Sequence, residues 1–141
     1  MIEAAPSPLE RAGVRKKTIT MWDPISLEEL QVEIQKAETD LKDELLVFWS
    51  LIKIEPEKWI EPQYGDEGGG FWVVGIFGNQ CIWYNDIEDG FNVSDYTTYG
   101  KIDEYWCNQD EISWIIYRLF DAVKTGKPMM KLSGPEKLNL D

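Results

Sequence analysis

Residues 71–84 read FWVVGIFGNQCIWY. Two runs rich in aromatic and β-branched side chains flank Gly78-Asn79, a pair suited to a tight turn, so the segment predicts an antiparallel hairpin. The chain continues as sheet. Asn85 to Gly90 reads as a second turn, and further strands are expected around Phe91-Asn92-Val93 and from Thr97 to Tyr105, the latter interrupted by Gly100.

Upstream of the hairpin, Ser26-Leu27-Glu28-Glu29 has the form of a capping box, in which the Ser hydroxyl and the Glu carboxylate satisfy each other's free backbone donors. Leu27, Leu30, Ile34, Ala37 and Leu41 then recur at helical spacing, and Leu45, Phe48, Trp49 and Ile52 extend the stripe to about residue 52. The helix is expected to break or kink near Lys42-Asp43. Pro56 and Pro62 bracket a short extended piece over 57–61, and Tyr64 to Gly70 is expected as a flexible hinge or lid. Downstream, Asn108-Gln109-Asp110-Glu111 opens a second helical region over 109–125. Its apolar stripe is Ile112, Ile115, Ile116, Leu119 and Val123, and Gly126 with Pro128 stops it.

The fold class is therefore α+β: an antiparallel sheet of about four strands flanked by N-terminal and C-terminal helices. The 141 residues suit one compact domain, and no internal repeat divides them. A flexible basic segment (1–20), a single acidic domain (21–125) and a loose basic tail (126–141) are expected.

Charge follows that division. The net charge is −12. Arg11, Arg15, Lys16 and Lys17 oppose Glu3 and Glu10 in the first segment, for +2; the lysines of residues 124–141 outnumber the acids there, again for +2. The body over 21–123 holds 22 acids against 6 bases, a net of −16. A field of that sign repels nucleic acid and anionic membrane, and favours a basic protein partner. The opening residues have no apolar run of the kind an export signal needs, and the longest apolar stretch, Leu45 to Trp49, is far too short to span a bilayer. A cytoplasmic location is expected.

Composition also limits the chemistry. With no histidine, a Ser-His-Asp or Cys-His nucleophile and an imidazole base are excluded. Cys81 and Cys107 are too few and too far apart in sequence for a soft-metal site, and read as buried free thiols. The glycines of 65–70 lack the Lys-Ser/Thr of a phosphate loop, and aligning Gly90 with the glycine of a calcium loop puts Ile87 and Tyr96 where carboxylates belong. No catalytic residue, metal or cofactor is assigned.

The densest unusual segment is Ile82 to Trp106, where aromatic side chains alternate with six acids. Aromatic anchors ringed by carboxylates suit an interface, since Trp and Tyr bury much area with little entropy loss while the charge steers a basic partner. The candidate contact set is Trp83, Tyr84, Asp86, Glu88, Asp89, Asp95, Tyr96, Tyr99, Asp103 and Glu104. Size, acidity, element order, the missing catalytic set and this segment together resemble the immunity proteins of bacterial toxin systems, which neutralise basic nuclease or other toxin domains by masking them. The likeness is one of overall character and transfers no residue role. It implies a small inhibitor that masks a basic protein. The alternative is a carboxylate hydrolase or sugar-like ligand binder with Asp86, Glu88 or Glu104 in an aromatic cleft.

Overall fold

The computed structural model describes residues 23–65, 68–129 and 131. The expected basic segment over 1–20 and most of the expected tail lie outside these residues. Within them the order is α1 (Leu27–Asp40), α2 (Asp43–Ile52), β1 (Lys53–Trp59), β2 (Phe71–Phe77), β3 (Gln80–Asn85), β4 (Gly90–Asp95) and α3 (Ile112–Thr125). The strands form one antiparallel sheet in the order β1-β2-β3-β4. This is an α+β fold with a four-stranded sheet and helices contributed from both sides of it in sequence.

Local chemistry sets the helix boundaries. The Ser26 hydroxyl accepts from the Glu29 N–H at 3.1 Å and the Glu29 carboxylate accepts from the Ser26 N–H at 3.0 Å, completing the capping box. The break near residue 42 is real: Asp43 adopts a left-handed φ of 51°, and α2 begins there. Glu38 holds the two helices together, accepting from Trp49 Nε1 at 2.8 Å and Lys53 Nζ at 2.6 Å. At its other end α3 stops at Gly126, whose φ of 76° forms a left-handed cap.

All three helices lie on one face of the sheet, where Leu30, Ile34, Phe48, Trp49, Ile115 and Ile116 pack with Val74, Ile82, Tyr84, Phe91 and Val93. A bulge between Val73 and Gly75 lets Trp49 come close; a Cβ at Gly75 would meet its ring at 3.0 Å. The opposite face carries Phe71, Val73, Cys81 and Trp83, and a second core cluster forms there.

Two strand expectations are corrected. The strand before the glycine loop starts at Lys53, directly after α2, and includes Pro56. β1 is an edge strand whose pairing is irregular between Lys53 and Glu57, so the missing proline N–H removes no ladder bond. Thr97 to Tyr105, in contrast, is no strand. It crosses the second face as irregular chain and inserts Ile102, Tyr105 and Trp106 into the core there. Those three positions lack a period of two, and beside the bonds of Ile102 N–H to Ile60 O at 2.9 Å and Asp103 N–H to Asp95 O at 3.2 Å the backbone finds partners from side chains. Asn85 Nδ2 donates to Trp106 O at 2.9 Å, Ser94 Oγ donates to Glu104 O at 2.7 Å, and Asn92 exchanges bonds with Asn108 at 2.9 and 3.0 Å. Residues 103–110 thereby run along the outer edge of β4, with Phe91 N–H donating to Asp110 O at 2.9 Å, and cover an edge that would otherwise invite pairing with another chain.

The described part of the glycine loop is pinned rather than free. The buried Glu61 carboxylate accepts from the N–H groups of Gln63, Tyr64 and Gly65, and Gly70, at φ 102°, lies so close to Trp59 that a Cβ would fall 2.2 Å from its carbonyl oxygen. No helix among the described residues is long and apolar enough to cross a membrane.

Two outcomes follow from this packing. A Cβ at Gly90 would meet Gln109 Cα at 2.2 Å and Asn108 O at 2.6 Å, so Gly90→Ala forces the covering segment off β4. The expected loss is about 1–3 kcal/mol, read as a lower urea midpoint at an unchanged slope. For Glu38, desolvation pushes the carboxyl up, but the bonds from Lys53 and Trp49 outweigh it and hold the pKa below its ordinary 4.5. A depressed folded pKa contributes stability above 4.5 that is lost as pH falls through the folded value. Glu38→Gln is therefore expected to lower the thermal midpoint at neutral pH and to flatten its decline on the acid side, as measured by circular dichroism between ~pH 2.5 and ~pH 7.

Candidate functional site

Three of the ten candidate contact residues are buried. Trp83 and Tyr84 are neighbours on β3, so they point to opposite faces, and both faces of β3 are covered. Trp83 is 0 % exposed, donates from Nε1 to Ser94 Oγ at 2.8 Å and packs on Phe71 with ring centroids 4.7 Å apart. Tyr84 is buried beside Phe91 under the helices, at 4.7 Å. Asp86 is 1 % exposed, and its Oδ2 accepts the Ile25 N–H at 2.7 Å, tying the entry of α1 to the β3–β4 turn. Trp83 and Asp86 serve the fold, and Tyr84, 8 % exposed, reaches the surface only at the floor of a cleft.

The other seven divide between the two ends of the sheet, separated by the length of six-residue strands, roughly 17–20 Å. They do not form one patch.

At one end, Glu88 and Asp89 sit in the β3–β4 turn. Asn85 organises it: Oδ1 accepts from Ile87 and Glu88 N–H at 3.0 and 3.2 Å, its carbonyl accepts from Asp89 N–H at 2.6 Å, and Asp89 takes a left-handed φ of 62°. Beside this turn, α1 and the start of α3 enclose a cleft of about 290 Å³. Glu33, Asp40, Asp89, Asp110 and Glu111 line it with a single cation, Lys36, which pairs with Glu33 at 3.2 Å. Tyr84 and Phe91 contribute its apolar floor. No basic residue occupies the last turn of α1, so the carbonyl end of that helix adds to the negative field. Burial raises the Asp110 pKa above the ordinary carboxylate value, while the Arg118 guanidinium 3.9 Å away pulls it down. Such a cleft suits a cationic side chain lying over an apolar floor.

At the other end, Tyr96 and Tyr99 close over Trp59, with ring centroids 5.0 and 4.8 Å away. Tyr96 OH donates to Gly78 O at 3.1 Å, and Tyr99 OH donates to Glu57 Oε1 at 2.7 Å. Tyr99 is 62 % exposed, but its hydroxyl is held: the bond from Tyr99, then that from Trp59, lowers the Glu57 pKa, and the same carboxylate raises that of Tyr99. Asp103 accepts from Thr97 Oγ1 at 3.1 Å. Asp95 and Glu104 converge on Lys131 Nζ, at 2.8 and 2.9 Å.

Sequence reasoning missed the α1 and α3 side of the cleft, because Glu33 and Asp40 meet Asp89 only through folding. It also missed Trp114 and Tyr117, which stack at 5.6 Å on the exposed face of α3, with Arg118 5.8 Å over the Trp114 ring. A signal for those two was present, since both fall off the apolar stripe of that helix. Among the described residues no group of His, Cys, Asp and Glu is arranged to hold a metal ion.

Comparison of the chain with protein-family models, with curated proteins and with solved structures finds no match.

Neither cysteine forms a disulfide, and the two are differently placed. Burial pushes the Cys81 thiol up to about 12, whereas Cys107 is only partly buried. Because the thiolate is the reactive species, Ellman's reagent at pH 8 is expected to label Cys107 in the folded protein and Cys81 only after unfolding in denaturant. Labelling of both at equal rates in the native state would contradict this placement.

Proposed function

We propose that this chain is a cytoplasmic protein-binding domain that engages a basic partner, with the cleft between α1, the β3–β4 turn and the start of α3 as its principal contact. The observation that carries the reading is the cleft itself, five carboxylates around a buried Tyr84-Phe91 floor. Its lining matches the side chain of Lys or Arg, a charged head on an apolar stem. The acidic body supports the same reading from a distance, because a single-sign field accelerates encounter with a basic protein and disfavours nucleic acid and anionic membrane. In its most specific form the domain is an immunity-like inhibitor that masks a basic toxin or nuclease domain, a role that asks no catalytic group of it. The carbohydrate alternative is less well supported: Tyr84 and Phe91 are 8 % and 4 % exposed, too little ring surface for a sugar to stack on.

The test begins with capture from the native host at low salt, followed by association kinetics with the captured protein. The partner is expected to be basic, and its association rate to fall about tenfold between ~50 and ~300 mM salt. Neutralising the cleft with Glu33→Gln, Asp40→Asn and Asp89→Asn is expected to weaken binding by at least about tenfold. Asn is chosen at residue 89 because it tolerates a left-handed φ. A rate insensitive to both salt and these substitutions would overturn the reading.

A further inference from the structure

At the end of the sheet opposite the cleft, two carboxylates already hold an ammonium group. Lys131 Nζ lies 2.8 Å from Asp95 Oδ1 and 2.9 Å from Glu104 Oε1, and the lysine side chain is only 16 % exposed. The seat does not depend on that lysine for its shape. Glu104 Oε1 also accepts from the Asp95 N–H at 3.0 Å and from Trp106 Nε1 at 3.1 Å, and the backbone of Glu104 is fixed by Ser94 Oγ at 2.7 Å. Trp106 is in turn buried in the second core. A carboxylate held by a backbone N–H and by the indole of a core tryptophan is preorganised for a cation before any cation arrives.

The occupant comes from a different part of the chain, beyond the α3 cap at Gly126. Met129 packs against the helix-side core, while Lys131, two residues later, reaches residues that border the other core. Lys131 inserts its ammonium there. Desolvation lowers the Lys131 pKa, but the bonds from Asp95 and Glu104 outweigh it and raise the net value above the ordinary 10.5, so the group stays charged at neutral pH.

We infer that the Asp95–Glu104 pair is a second binding seat for a lysine ammonium of a cationic partner, and that the chain's own Lys131 occupies it as an intramolecular competitor. A basic ligand engages the seat by displacing Lys131, and while Lys131 is in place the apparent affinity is reduced by the fraction of time the seat is open. A seat open one-tenth of the time weakens binding about tenfold. This rests on the proposed preference for basic partners and adds to it a self-masking contact at a separate site.

The experiment titrates the full chain with a hexalysine peptide at low salt and follows the indole N–H resonance of Trp106, assigned with Trp106→Phe. Lys131→Gln is compared with Lys127→Gln, which removes the same charge from an exposed position outside the seat. The Trp106 resonance is expected to respond at about tenfold lower peptide concentration in Lys131→Gln than in the parent or in Lys127→Gln. Adding Glu104→Gln to Lys131→Gln is expected to abolish the response. Equal titrations for Lys131→Gln and Lys127→Gln would overturn the inference. So would hexalysine shifting only resonances of the cleft, such as the Gln109 side-chain amide, an outcome that leaves the basic-partner reading standing. If no resonance responds in any variant, both readings fall.

Discussion

Three short polar side chains, Asn85, Asn92 and Ser94, carry the constraint on which the rest of this molecule depends. They are 0–1 % exposed, and they satisfy the backbone of an irregular segment laid over the second face of the sheet. Irregular chain in a protein interior has polar groups that no ladder satisfies, and each one left unpaired is costly. The two amides and the hydroxyl supply the missing partners. Because they do, residues 96–110 can bury Ile102, Tyr105 and Trp106 and close a second core, and β3 and β4 can be apolar on one face without exposing the other.

The same arrangement determines where charge sits. With the helices on one face and the irregular cover on the other, carboxylates are left at the ends and edges of the sheet. One end becomes an open acidic cleft beside an apolar floor. At the other end the acids are engaged inside the molecule, by Tyr99 on Glu57, Thr97 on Asp103 and Lys131 on Asp95 and Glu104. Two acidic regions of similar composition therefore differ in state: the cleft sets five carboxylates around Lys36, while Asp95 and Glu104 share the Lys131 ammonium.

Much of the fold was legible because it rests on short-range signals. The capping box at Ser26, the helical stripe from Leu27 to Ile52 with its break near Lys42, the Gly78-Asn79 hairpin and the glycine stop at residue 126 are all set within a few residues of one another. The errors came where a residue's role depends on distant chain. Thr97 to Tyr105 has the composition of a strand, but it crosses the second face as irregular cover, anchored at Glu104 by Ser94. Pro56 looked like a boundary, yet β1 is an edge strand that accommodates it. Of the contact candidates, Trp83, Tyr84 and Asp86 could not be separated from their exposed neighbours, since composition does not say whether a strand is covered on one face or two.

The sequence by itself determined the order of helices and strands, the absence of imidazole chemistry and a strongly acidic body, because these follow from residue identity and from periodicities over a turn or two of chain. Tertiary structure alone decided which aromatic side chains are core and which acids gather. It brought Glu33, Asp40 and Asp110 to Asp89, and delivered Lys131 to Asp95 and Glu104. The physical reason is that burial and charge proximity are set by which distant segments cover a surface, and no local pattern encodes that distance.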